Sequence, residues 1–69
     1  MLIANDVELK ASLERIRDLQ SRVVYLREVE TSPANYRLSA SGFLEEIDRM
    51  QLEVREYLSL HPSEPKASA

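Results

Sequence analysis

The sequence predicts an all-α protein: a two-helix antiparallel hairpin that dimerises into a four-helix bundle. Three observations carry this reading. Leu9, Leu13, Ile16, Leu19, Val23 and Leu26 recur at steps of three and four, as do Phe43, Ile47, Met50, Val54 and Tyr57. An α-helix turns every ~3.6 residues, so each set forms one apolar stripe. Between the stripes stands Thr31-Ser32-Pro33-Ala34-Asn35, poor helix and good turn. Finally, a chain of 69 residues without cysteine has neither disulfides nor thiolate metal sites to stabilise it. Chains of this size bury a small fraction of their surface, which leaves association as the remaining remedy.

The domain is expected over residues 1–61, with helix 1 at about 6–30. Asn5 caps it, Glu8 follows three residues later as reciprocal partner, and Leu9 opens the stripe. Asp6 and Glu8 put negative charge in the first turn, where the helix dipole favours it. Lys10–Glu14 and Asp18–Arg22 are opposite charges four apart, each contributing a few tenths of a kcal/mol. A lone helix of this kind is marginal, so packing must hold it.

Pro33 disfavours helix at Ser32 and ends helix 1 near Glu30 or Thr31. Ser32 and Pro33 also suit the cap and first position of a short helical turn through Tyr36. Ser41 is the expected cap of helix 2, which then runs from about 42 to 60 with Glu45 and Glu46 in its opening turns. Pro62 ends it. The one glycine and three prolines thus fall at or outside the expected helix ends. Glu45–Arg49 is the better-oriented ion pair on helix 2, and Arg49–Glu53 the reversed one. Residues 62–69 have no apolar anchor and read as a disordered tail. A connection of about ten residues lets the helices fold back on each other at the ~20° crossing of bundles. Val24, Val29, Leu44, Leu52, Leu58 and Leu60 lie beside or outside the seams, and apolar excess of this kind marks an interface. A homodimer would bury most of it.

Charged residues are 30% and apolar residues 43% of the chain, a composition of helical domains rather than disordered tails. The net charge of −3 argues against a general nucleic-acid binder. The opening residues lack the pattern of a signal peptide, and no stretch approaches the ~18 apolar residues of a membrane span. A cytoplasmic protein is expected.

Little in the sequence suggests catalysis. His61 stands alone at the end of helix 2, where a cation is tolerated near the negative helix terminus. Glu45, Glu46, Asp48, Glu53 and Glu56 lie on a polar face without the inward Glu-x-x-His spacing of paired-metal bundles. No glycine-rich phosphate loop exists, and no serine sits in a nucleophile-elbow context. The reading is a non-enzyme without catalytic residues, metal or cofactor. Arg15 and Arg22, seven apart, match Glu46 and Glu53, also seven apart, which favours pairing between the helices over phosphate contact. Among the tyrosines, Tyr57 fits the stripe, while Tyr25 and Tyr36 are candidates for a second surface.

Asn5-Asp6-Val7-Glu8-Leu9, leading into Leu13-Glu14-Arg15-Ile16, resembles the opening of helical segments in small bacterial toxin–antitoxin-type regulators. Asp48-Arg49-Met50-Gln51-Leu52-Glu53-Val54-Arg55-Glu56-Tyr57-Leu58 resembles their second helix. Xre-type antitoxins carry a comparable hairpin ahead of a DNA-reading domain. No helix-turn-helix domain lies within the present chain. The resemblance therefore implies an interaction or dimerisation module of a bacterial regulatory system. Its alternative is an antitoxin-like regulator that binds a toxin partner, with weak DNA contact through the helix 1 arginines.

Overall fold

A computed structural model describes residues 3–64. The chain is all-α: helix α1, Asp6–Val29, packs along helix α2, Pro33–Leu58, and no strand occurs among the described residues. The start of α1 is fixed by two hydrogen bonds, the second of which reaches one residue beyond the expected Asn5 N–H. Asn5 Oδ1 accepts the Glu8 N–H at 2.9 Å, and Glu8 Oε1 accepts the Ala4 N–H at 2.7 Å. At its far end Glu30 turns extended while its N–H still reaches Leu26 O.

Glu30, Thr31 and Ser32 alone join the helices. Glu30 Oε2 accepts the Ser32 N–H, and Ser32 Oγ accepts the Asn35 N–H at 3.3 Å, with Pro33 at the first helical position. The turn expected at Ser32–Tyr36 is thus the first turn of α2 itself. This corrects the helix 2 start at about 42 and the ten-residue connection. Ser41 is not a cap; its hydroxyl donates back to Leu38 O within the helix. Gly42 lies in the helix interior, against the expectation that it marks an end. Propensity is low from Ser39 to Gly42, but packing decides. Tyr36 and Ala40 continue the Phe43 stripe in phase, and Ala40 is the most buried side chain, 1% exposed.

The two stripes follow one heptad register, written a to g. In α1, Leu9, Ile16 and Val23 take a, and Ser12, Leu19 and Leu26 take d. In α2, Ala40, Ile47 and Val54 take a, and Tyr36, Phe43, Met50 and Tyr57 take d. All of these are buried or half-buried, as knobs meeting across a single seam should be. Ile16, Leu19, Ile47 and Val54 form the cluster centre with Ile3, which folds in from before the Asn5 cap. Leu13 is corrected by this register. It falls at e, beside the seam, and stands 44% exposed.

α2 ends at Leu58, before the expected Leu60, where Ser59 Oγ donates to Glu56 O at 2.7 Å. Residues 62–64, read as tail, belong to a turn closed by Glu64 N–H to His61 O. Residues 65–69 of the expected tail lie outside the described residues. With a radius of gyration of 15.3 Å against ~11 Å for a compact domain of this length, the hairpin is elongated.

Two substitutions check this fold. Gly42 faces open space: a methyl group at its Cα would meet nothing within 4 Å. Gly42→Ala should therefore stabilise the protein by about 0.5–1 kcal/mol in denaturant titration; destabilisation would mean that α2 is broken there. Ile47→Asp places an unpaired carboxylate in the seam and should abolish helical circular dichroism.

Candidate interaction surfaces

Because the helices run antiparallel, their g positions adjoin on one side of the hairpin and their e positions on the other. The g side carries the charges. Arg15 and Arg22 come from α1, and Glu46 and Glu53 from α2, both glutamates half-buried over the seam. Arg49 bonds to Glu46 and pairs with Glu53 at 3.5 Å, rather than with the expected Glu45. That hydrogen bond is the main reason the Glu46 carboxyl is held below its ordinary value, and the charges of Arg49 and Arg15 add to it. The Arg15 influence crosses the seam, in the sense expected for Arg15 and Glu46. Arg22 instead pairs with Asp18 on its own helix at 3.6 Å. The Arg22–Asp18 pair lies in solvent and the Arg49 guanidinium is itself half exposed, so these pairs contribute little to stability.

Tyr25 is 62% exposed and lines an open groove of about 300 Å³ with Ser21, Arg22, Leu26 and Phe43. Tyr and Arg beside half-buried apolar side chains are the composition of an anchor point for another protein. Phe43 belongs to this groove as well as to the seam. Its place beside Tyr25 follows only once the two helices are set in register, so residue spacing along one helix could not reveal it. Tyr36 is half-buried and lines a second shallow groove with Arg27, Glu30, Thr31 and Pro33. Tyr25 and Tyr36 therefore occupy two separate grooves.

The open end of the hairpin is tied by Tyr57, whose hydroxyl donates to Asp6 Oδ1 at 2.6 Å. This bond joins the first turn of α1 to the last turns of α2, and it is the main cause that raises the Tyr57 phenol above its ordinary value. His61 is exposed, and its Nδ1 accepts the Ser63 N–H at 3.1 Å, so the imidazole shapes a turn. Among the described residues no group of three His, Cys, Asp or Glu is placed to hold a metal ion, and no helix is long and apolar enough to cross a membrane. No family model matches this chain, and no curated protein or solved structure shows significant similarity to it.

The Tyr57 bond makes a pH prediction. The carboxylate accepts only while the phenol keeps its proton. Since folding raises the phenol's pKa, the contribution is complete below the unfolded value of about 10 and is lost as pH rises through the folded value. The melting-temperature advantage of the native protein over Tyr57→Phe should thus be constant near neutrality and shrink in alkali. Parallel curves through the alkaline range would contradict the bond.

Proposed function

We propose that this chain is a non-catalytic, cytoplasmic helical interaction module of bacterial type that self-associates into a four-helix bundle. The observation that carries the reading is the amount of apolar surface one seam leaves outside. Val24, Leu44, Leu52 and Leu58 join Leu13 among the exposed large apolar side chains.

A second reading, an antitoxin-like regulator that binds a toxin partner, draws on the Tyr25 groove. Its aromatic and guanidinium groups suit a protein anchor, and the reading also draws on the sequence stretches of both helices that resemble antitoxin segments.

Sedimentation equilibrium at micromolar concentration tests the first reading. A dimer mass is the expected result. A cooperatively folded species of monomer mass across the concentration range would overturn it.

A further inference from the structure

The e side of the hairpin differs in kind from the charged g side, and it is laid out to receive its own copy. Along α1 the e positions read Asp6, Leu13, Gln20, Arg27; along α2 they read Arg37, Leu44, Gln51, Leu58. The central four residues, Leu13, Gln20, Leu44 and Gln51, carry no charge, and both leucines are nearly half exposed. Resting on the self-association proposed above, we infer that this e side is the dimer face, with a second copy turned so that the two connections lie at opposite ends.

Charge and register select that occupant and that orientation. A twofold contact sets a surface against itself, so strong charge along its central row would repel the copy; the e rows have none at their centre, and Arg17 and Asp48 flank that level from b positions. The α1 row is negative at one end, Asp6, and positive at the other, Arg27. Laid antiparallel on the α1 of a second copy, each Asp6 meets the other copy's Arg27, and each Leu13 falls beside the other copy's Gln20. The midpoint of this arrangement lies between residues 16 and 17. On α2 the same operation sets Leu44 beside Gln51 of the other copy, with its midpoint between residues 47 and 48. The hairpin brings those two midpoints to the same level, because Tyr57 meets Asp6 at the open end and Ile16 and Ile47 share one cluster at the centre. One twofold axis therefore satisfies both helices. A parallel arrangement would instead set the Arg27 and Arg37 of one copy beside those of the other.

The test uses the full chain and three variants. Leu13→Glu/Leu44→Glu changes only exposed positions and should keep helical circular dichroism, yet weaken dimerisation about 100-fold or more by trapping charge in the face. Tyr25→Ala, on the opposite side, should leave the dimer mass unchanged. Thr31→Cys introduces the chain's sole cysteine at the connection; with connections at opposite ends, the oxidised dimer should form no intermolecular disulfide. If the native chain is a monomer, the self-association reading itself fails. If the native chain is a dimer and the double glutamate variant remains one, the face is wrong while the reading stands. A Thr31→Cys dimer that oxidises quantitatively to a crosslinked species would overturn the orientation.

Discussion

A single heptad seam between two helices is the constraint on which everything else in this protein depends. Each helix presents one a/d stripe to the other, and every a and d residue from Leu9 to Leu26 and from Tyr36 to Tyr57 is at least half removed from solvent. A two-helix layer has no second partner to cover its flanks. The apolar residues at e, b and f positions consequently stay in water, however well the seam is packed. The self-association proposed above would follow from this architecture, since an uncovered flank offers stabilisation that the isolated hairpin cannot obtain internally.

The same constraint explains the short connection. With Ser32 capping and Pro33 opening α2, the chain turns back at once, and the seam gains a further turn through Tyr36 and Ala40. Ala40 is small enough to sit buried two turns after the connection. Ser39, Ser41 and Gly42 face outward or bond to their own helix, so their weak propensity costs about a kcal/mol or two in sum and is outweighed by continuing the stripe.

Much of this architecture can be read from the residues alone. Asn5 and Glu8 mark the first helix start, Ser32-Pro33 marks the turn, and the spacing of Ile16, Leu19, Ile47 and Val54 marks the stripe. Other features are illegible there for physical reasons. Ser39-Ala40-Ser41-Gly42 carries the local signature of a break, and only the phase relation between Tyr36, Ala40 and Phe43 argues for a continuous helix. Leu13 satisfies a three-or-four spacing yet belongs beside the seam, because steps of four followed by three fix the register only when counted from the most buried residues. Ile3 precedes the cap and has no periodicity to reveal it. The candidate surfaces are legible in part: Tyr25 is recognisable as off-stripe, whereas its neighbour Phe43 requires the second helix. The concentration of charge at the centre of the g side, and of leucine and glutamine at the centre of the e side, emerges only once both helices share one register.

The central claim, that the seam saturates one side of each helix and leaves the e side for a second copy, is tested most directly by nuclear magnetic resonance on mixed labelled and unlabelled chains. Intermolecular nuclear Overhauser effects should connect the methyl groups of Leu13 and Leu44 to Gln20 and Gln51 of the other copy. Intermolecular contacts confined to Tyr25, Leu26 and Phe43 would contradict it.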